Sequence, residues 1–211
     1  MNSQNNLSLQ AHQVIREVQK AVIGKEECIR KVMMAILASG HILLEDIPGV
    51  GKTTMALAFS KALNLREKRL TFTPDVLPAD LTGFTMYRKE TGKFYYQPGA
   101  VMCNLFLGDE INRTSPRTQS ALLEVMEEGQ VSVDGVTHLL PRPFIVIATQ
   151  NPAGSAGTQL LPQSQLDRFT VCLTMGYPDI NEEISILKGR IARNTIQQVS
   201  PAADASELLR M

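Results

Sequence analysis

Residues 41–54, HILLEDIPGVGKTT, contain a short apolar run, a glycine-rich turn and the first residues of a helical pattern. Residues 41–45 predict a buried strand, and residues 52–65 predict a helix. Glycines permit a tight turn whose backbone N–H groups point at one anion, and the N-terminus of the helix adds a favourable dipole. The stretch therefore indicates a phosphate-binding loop, in which Lys52 reaches the β- and γ-phosphates and the Thr53 hydroxyl holds Mg²⁺.

This loop departs from the usual pattern at one position. The pattern begins with a glycine, and Asp46 stands in its place. A carboxylate beside phosphates would repel them. We therefore expect Asp46 to lie at the end of the strand and to point away, while residues 48–53 form the phosphate cradle alone.

Polar side chains follow two further predicted strands. The apolar residues 105–107 lead into Asp109 and Glu110, and residues 144–148 lead into Asn151. Asp109 is suited to bind Mg²⁺, directly or through water, and Glu110 to orient or deprotonate the attacking water. Asn151 either holds the γ-phosphate or the water, or belongs to an ordinary Asn-Pro turn. Since ligands of parallel sheets bind beyond the carboxyl ends of the strands, the combination favours function.

Strands that alternate with helical patterns predict a parallel sheet covered on both faces. Two helices precede the first strand, and a helix over 116–128 begins at Ser115 as its N-cap. Two segments predict β-hairpins, 83–99 around Thr91-Gly92 and 130–139 around Asp134-Gly135. After residue 178, Asp179 and Glu182 are spaced to cap another helix, and the polar stretch 200–211 shows no further core. The five predicted strands are residues 41–45, 70–72, 105–107, 144–148 and 171–173.

The composition excludes several classes of protein. The chain has 211 residues, 21 basic and 21 acidic, so bulk positive charge does not hold it to nucleic acid. It contains no Trp and few aromatic residues, which disfavours a platform for stacking single-stranded bases. Cys28, Cys103 and Cys172 each stand among apolar residues, which predicts reduced, buried thiols. No run is long enough to span a bilayer and no signal-peptide pattern is present, so we expect a cytoplasmic protein.

Taken together, these motifs resemble those of AAA+ ATPases and, within that group, of MoxR ATPases. The resemblance extends from about residue 22 to residue 177. Its most specific piece, LFLGDEINRTSPRTQSALLEVMEEGQVSVDG at 105–135, distinguishes the chain from generic phosphate-loop proteins. The other pieces are VIGKE at 22–26, LLEDIPGVGKTTMA at 43–56, FIVIATQNP at 144–152 and LPQSQLDRF at 161–169.

The resemblance implies a role for individual residues. Asp109 and Glu110 match Walker B, Asn151 matches sensor 1, and Arg168 matches an arginine finger that reaches the ATP of the neighbouring subunit. Glu110, Asn151 and Arg168 are thus the implied catalytic residues, and Thr53 and Asp109 the implied Mg²⁺ ligands. The residues implied to bind ATP are Val22, Ile23 and Gly24 beside the adenine, and Pro48, Gly49, Val50, Gly51, Lys52, Thr53 and Thr54 in the phosphate loop.

The resemblance also implies an architecture and an assembly. We expect a three-layer α/β AAA+ phosphate-loop fold with a five-stranded parallel sheet, in which residues 1–177 form the nucleotide-binding core. The hairpins match the helix-2 insert and the pre-sensor-1 hairpin of the clade shared with magnesium chelatase subunits. Residues 178–211 match the truncated beginning of a helical lid, and no arginine there has the motif of sensor 2. MoxR ATPases form rings, usually hexameric, and act as chaperone-like ATPases with von Willebrand factor A domain partners in maturation or metal insertion.

Alternatives to this interpretation stay open. The chain could be a nucleotide-gated binding module with little turnover, or a DNA-acting AAA+ motor, although its zero net charge argues against nucleic acid. Two arginines near the predicted site have local alternatives as well: Arg113 serves a subunit interface or a structural ion pair, and Arg168 could pair with an acid close by. Those acids are Glu124 or Glu127 for Arg113, and Asp167 or Glu128 for Arg168.

Overall fold

The computed structural model describes residues 2–46, 49–152, 161–180, 182–184, 186 and 195–211. The strands are β1 (Ile42–Glu45), β2 (Glu67–Thr71), β3 (Gly83–Arg88), β4 (Lys93–Pro98), β5 (Leu105–Asp109), β6 (Gln130–Val133), β7 (Val136–Leu139), β8 (Ile145–Gln150) and β9 (Val171–Leu173). The α-helices are α1 (Asn2–Gln19), α2 (Glu26–Leu37), α3 (Lys52–Ala62), α4 (Pro78–Thr82), α5 (Pro116–Glu128), α6 (Gln163–Leu166) and α7 (Ala205–Leu208), and 3₁₀ turns occupy Ile111–Arg113 and Thr195–Gln198.

Within the described residues, five parallel strands form one sheet in the order β2-β5-β8-β1-β9. Alternate side chains of each strand face opposite layers. On β1, Ile42 and Leu44 pack in the cluster formed with α1, α2 and α3, whereas Leu43 packs with α5 and the hairpins. The predicted three-layer α/β fold with a five-stranded parallel sheet is therefore confirmed.

The second strand differs from its prediction. Residues 70–72 were expected to form it, but β2 runs over Glu67–Thr71, and Phe72 follows the strand as a fully buried side chain. β2 lies at the edge of the sheet, where alternate residues are exposed. Its sequence, EKRLT, therefore lacks the continuous apolar run that marks a central strand.

Both predicted hairpins are present and pack outside the central sheet. β3 pairs antiparallel with β4, and β6 pairs antiparallel with β7. The turn of the second hairpin contains Asp134 and Gly135, both with positive φ. The rings of Tyr96 and His138 stack with their centroids 3.7 Å apart, so the two hairpins contact one another. The prediction of α5 is also confirmed, since Ser115 accepts a hydrogen bond from the Thr118 N–H as its N-cap.

The C-terminal stretch contributes to the core, contrary to the expectation from its polar sequence. Val199, Ala203 and Leu208 are buried in the cluster that contains α1 and α3. The N–H groups of Ala202 and Ala203 donate to the carbonyl of Ala62, at 2.8 and 3.2 Å. The apolar residues of this stretch are isolated from one another in the sequence, so no periodic pattern marked them as core.

Other predictions concern the cysteines and the segment after β9. Cys28 and Cys103 are buried as predicted, but Cys172 is exposed because it points outward from the edge strand β9. Asp179 and Glu182 exchange the predicted capping bonds, both 2.8 Å long.

Residues 181, 185 and 187–194, which include much of the predicted lid helix and both Arg190 and Arg193, lie outside the described residues. Among the helices that the structure describes, none has the length and apolarity needed to cross a membrane.

Candidate active site

The phosphate loop lies between β1 and α3, with Gly51 as the N-cap of the helix. Gly49 and Gly51 have φ of 94° and 98°, which a residue with a Cβ rarely adopts. Open space surrounds Gly49 where a Cβ would stand, so conformation rather than crowding requires this glycine. Pro48, which was also predicted to contact the phosphates, lies outside the described residues.

Lys52 is the first residue of α3, and its side chain is buried. Its Nζ donates a hydrogen bond to the backbone carbonyl of Asp46. Burial lowers the pKa of Lys52, and the negative charges of Asp46, Asp109 and Glu110 oppose this shift. An ammonium group has three N–H donors, so Lys52 has the capacity to bind anionic oxygens in addition to this carbonyl.

The carboxylate of Asp46 is bound by the segment after β9. Its Oδ2 accepts hydrogen bonds from the N–H groups of Met175 and Gly176, at 2.8 and 2.7 Å. These hydrogen bonds tie the end of β1 to the chain that leaves β9. The negative charge of Asp46 still has a larger effect on the pKa of Lys52 than that of Asp109 or Glu110, so the expectation that Asp46 points away from the phosphates stays a prediction.

The two adjacent acids at the end of β5 reach the same cavity because the backbone turns between them. Asp109 ends the strand, and Glu110 has a left-handed conformation with φ of 59°. The hydroxyl of Thr149 accepts a hydrogen bond from the Glu110 N–H at 2.9 Å and lies 3.4 Å from Asp109 Oδ1. Without this turn, neighbouring side chains would point to opposite faces of the sheet.

Asp109 is bound by an arginine that the sequence did not predict. The Nε and Nη2 atoms of Arg69, on β2, lie 2.7 and 2.6 Å from Asp109 Oδ2. The carboxylate is nearly buried, with 9% of its side chain exposed, whereas 52% of the Arg69 side chain is exposed. A guanidinium therefore contacts the carboxylate that was predicted to bind Mg²⁺.

Glu110 is held by two side chains. Arg113 Nη1 lies 2.7 Å from its Oε2, and Asn151 Nδ2 lies 3.2 Å from its Oε1. The hydrogen bond from Arg113 is the main cause of a lowered pKa of Glu110. Glu124 and Glu127, which the sequence left open as partners of Arg113, are not the acids it pairs with, because the 3₁₀ turn Ile111–Arg113 brings its side chain to Glu110. A role of Arg113 at a subunit interface stays a prediction.

Asn151 is fixed through its backbone and presents its side chain to the cavity. Its N–H donates to Asn112 Oδ1 at 3.2 Å, and its carbonyl accepts from Asn112 Nδ2 at 3.0 Å. Its own Oδ1 is buried and has no hydrogen-bond partner among the described residues. A buried oxygen acceptor of this kind calls for a partner that a bound ligand can provide.

These groups surround one cavity of about 360 Å³. The Mg²⁺ ligands predicted from the sequence, Thr53 and Asp109, both line it, together with Asn151. Mg²⁺ prefers oxygen ligands, so the residues present fit this ion. The lining is Gly49, Gly51, Lys52, Thr53, Thr54, Arg69, Thr71, Asp109, Glu110, Thr149 and Asn151.

A second cavity of about 120 Å³ adjoins the phosphate loop and shares Gly49, Gly51 and Thr54 with the first. Val22, Ile23 and Val50 line it, which matches the residues expected beside a nucleobase and its loop. Gly24 lines neither of these two cavities. The structure thus places the predicted base and phosphate sites side by side.

Arg168 lies apart from this site. Its Nη2 is 2.8 Å from Glu127 Oε2, and its Nη1 donates to the carbonyl of Ser164 at 3.3 Å. It does not line the phosphate cavity of its own chain. The local partners considered from the sequence, Asp167 and Glu128, are not its ion-pair partner.

Several residues of the site were not predicted. Arg69, Thr71 and Thr149 line the cavity, and Asn112 supports Asn151 from behind. Thr149 had a usable signal, since it stands two residues before Asn151 at the end of the same strand. Arg69 had none, because its place depends on how β2 pairs with β5.

Comparison with known proteins agrees with this geometry. Residues 41–171 match the family described as "ATPase family associated with various cellular activities (AAA)". The chain belongs to the AAA ATPase family. YeaC of Bacillus subtilis is 50% identical over 187 residues, which cover 89% of this chain and 58% of YeaC. Chaperone MoxR1 of Mycobacterium tuberculosis is 41% identical over 173 residues, which cover 82% of this chain and 46% of MoxR1.

A solved structure from Cytophaga hutchinsonii supports the same assignment for this AAA ATPase. The two structures superpose with a TM-score of 0.86 at 36% sequence identity, over 99% of this chain and 64% of the other. Within the AAA family, the chain is a member of the MoxR group. It spans about half the length of the curated relatives that it matches.

Proposed function

We propose that this MoxR-type chain binds ATP with Mg²⁺ and hydrolyses it, as a subunit of a ring that remodels or matures other proteins. The observation that carries the proposal is the convergence of Lys52, Asp109, Glu110 and Asn151 on one cavity beside a glycine loop. The four side chains come from the ends of three neighbouring strands or from the helix that follows. None of these side chains alone indicates a particular reaction, but their combination suits the transfer of a phosphoryl group to water.

Lys52 and the loop bind the phosphates in this proposal. The ammonium of Lys52 and the backbone N–H groups after Gly51 supply positive charge and hydrogen-bond donors. Thr53 and Asp109 hold Mg²⁺, which neutralises charge on the phosphate oxygens when it is bound. Val22 and Ile23 contact the adenine from the adjoining cavity.

Glu110 acts on the attacking water, and Asn151 keeps that water beside the γ-phosphate. The carboxylate takes one proton from the water. The water oxygen forms a bond to the γ-phosphorus, and the bond between that phosphorus and the bridging oxygen breaks, so that ADP leaves. Asn151 has its Nδ2 on Glu110 and a buried Oδ1 without a partner in the described residues, so it can contact both the base and the water. Arg168, supplied by a neighbouring subunit, stabilises the charge on the far side of the γ-phosphate.

The wider function rests on the relatives. One of them is named as a chaperone, and we extend that role to this chain as a cytoplasmic, hexameric remodelling ATPase. A von Willebrand factor A domain protein is the proposed partner, and maturation, including metal insertion, the proposed outcome. An alternative is a nucleotide-gated binding module with slow turnover. The ion pairs that engage Asp109 and Glu110 favour it, because both must rearrange before hydrolysis.

Two substitutions test the proposal in the full-length protein. Lys52→Ala removes the main side-chain counterion of the phosphates, so ATP affinity measured by calorimetry should fall about 10–150-fold. Glu110→Gln keeps the shape of the side chain but not its basicity, so ATP binding should persist while turnover falls about 10²–10⁴-fold.

The controls are Lys31→Ala and Glu128→Gln, which remove comparable charges from exposed positions outside the cavity. Both should bind and hydrolyse ATP like the wild type. Unchanged ATP affinity of Lys52→Ala would refute the phosphate-loop assignment. Tight binding without turnover in the wild type would favour the nucleotide-gated module instead.

A further inference from the structure

Arg69 occupies an unusual position in the phosphate cavity. Two of its nitrogen atoms, Nε and Nη2, contact one and the same oxygen of Asp109, Oδ2, at 2.7 and 2.6 Å. The other oxygen of Asp109 lies 3.4 Å from the hydroxyl of Thr149. Both contacts of the ion pair are therefore made to Oδ2, and neither is made to Oδ1.

The pairing of the strands explains this contact. Thr71 of β2 lies opposite Asp109 of β5, and Arg69 lies opposite Leu107. Residues two apart on a strand face the same side of the sheet, so Arg69 stands diagonal to Asp109 on the face of the cavity. Its long side chain reaches the carboxylate while half of it stays exposed to solvent.

Arg69 and a divalent cation compete for this carboxylate. A guanidinium at 2.6–2.7 Å from Oδ2 stands where a cation bound to that oxygen would lie. Two positive charges on one nearly buried oxygen repel each other strongly, since screening by water is weak there. With two N–H donors on Oδ2, both lone pairs of this oxygen are engaged, so a cation that binds to it must displace at least one of them.

We propose that Arg69 is a built-in competitor of Mg²⁺, whose guanidinium neutralises Asp109 in the nucleotide-free enzyme and leaves it when the metal–nucleotide complex binds. The inference rests on the proposed function, since it assumes that Asp109 serves a nucleotide-bound cation. Removal of Arg69 should therefore change the affinity for the cation and the affinity for the metal-free nucleotide in opposite directions. Removal of Arg69 makes the cation easier to bind, and it leaves the negative charge of Asp109 facing the phosphates when no cation is present.

Arg69→Met tests both consequences, because Met has a similar reach and no charge. Calorimetry should compare the binding of ADP in EDTA with its binding over a series of free Mg²⁺ concentrations, which needs no turnover. Relative to the wild type, ADP should bind more weakly in EDTA, and half-maximal enhancement should need less Mg²⁺. The ratio of the two dissociation constants, without and with saturating Mg²⁺, should rise about threefold to tenfold.

Two further variants sharpen the experiment. Arg66→Met removes a positive charge from an exposed position just before β2 and outside the cavity, so its ratio should equal that of the wild type. Arg69→Lys keeps the charge with one nitrogen instead of a fork, so its ratio should lie between those of the wild type and Arg69→Met. It also provides the comparison if Arg69→Met does not fold.

The possible results are distinct. Equal weakening of ADP binding with and without Mg²⁺ would make Arg69 a phosphate ligand and would overturn the inference. ADP binding that is unchanged both with and without Mg²⁺ would overturn it as well, since the ion pair would then be without effect on the cation. If the wild type does not bind ADP under any condition, the proposed function itself fails, and this inference falls with it.

Discussion

Asn112 joins the turn that follows Glu110 to the loop that begins at Asn151. It lies in the 3₁₀ turn after Glu110, and its amide makes reciprocal hydrogen bonds to the backbone N–H and carbonyl of Asn151. Its side chain is buried, with a relative exposure of 1%. Asn112 does not line the cavity itself, so it acts as a positioning residue rather than a catalytic one.

Asn112→Ala should therefore separate catalysis from binding. It leaves a buried N–H and a buried carbonyl without partners, which lowers the free energy of unfolding by about 1–3 kcal/mol. Turnover should fall because Asn151 loses its fixed place, while the dissociation constant of ATP stays within about twofold of the wild type. Asn112→Asp, which keeps the acceptor for the Asn151 N–H, should recover part of the turnover. Equal losses in affinity and turnover would indicate a general disruption of the fold instead.

At this scale, the sequence predicts the residues that follow strands but not their partners. Lys52, Asp109, Glu110 and Asn151 could be found because each stands directly after a recognisable apolar run or glycine loop. Their partners could not, because a contact such as Arg69 with Asp109 depends on the register between β2 and β5. A one-residue change of that register would place Arg69 on the opposite face.

Among the elements, β1, β5 and β8 are the ones that position the site, and a buried histidine connects two of them to α5. His41 Nδ1 accepts a hydrogen bond from the Val146 N–H at 3.0 Å, and its Nε2 lies 3.1 Å from the carbonyl of Met126. The first contact requires an unprotonated Nδ1, so the ring is neutral in the fold. Burial accordingly lowers the pKa of His41.

This element contact predicts a pH dependence of stability. The unfolded chain binds a proton at His41 near its ordinary pKa of 6.5, whereas the folded chain does so only at lower pH. The contribution of His41 to stability is therefore complete above about pH 6.5 and declines as the pH falls towards the lowered pKa of the fold. His41→Leu should be less stable than the wild type by chemical denaturation, and the difference should be larger at pH 8 than at pH 5.5. A difference that is the same at both pH values would contradict the neutral, buried ring.

The same elements show where sequence patterns suffice. The central strands begin with continuous apolar runs, so their positions could be predicted from the sequence. β2 is an edge strand with alternating exposure, and its bounds were predicted three residues too late at the start and one too late at the end. The burial of Val199, Ala203 and Leu208 could not be predicted either, because it depends on the surface that α1 and α3 present to them.

For the whole molecule, the position of Arg168 raises the question of assembly. Arg168 lies outside the cavity of its own chain, and its partner Glu127 is itself 59% exposed. Exposed ion pairs contribute about 0–1 kcal/mol, so this pair is a weak reason for Arg168 to stay where it is. An arginine that is held only weakly at the surface is available to a neighbouring subunit.

Arg168→Ala should then bind ATP and assemble like the wild type. Its turnover should fall by a factor of about 10³–10⁵, since the charge that builds on the γ-phosphate lacks its counterion. Glu127→Gln is the matched control: it breaks the same ion pair but leaves the guanidinium, so its turnover should stay near that of the wild type. Equal losses in both variants would assign Arg168 a local structural role.

Mixing experiments decide whether the arginine acts between subunits. A Lys52→Ala subunit cannot bind ATP well but carries an intact Arg168, and an Arg168→Ala subunit has an intact phosphate loop. Where the two are neighbours in a ring, the first can donate its guanidinium to the ATP of the second, so the mixture should regain turnover that neither variant has alone. Recovery should depend on the mixing ratio and disappear on dilution below the concentration at which rings form. Full turnover by Arg168→Ala as a dilute monomer would show that each chain completes its own site.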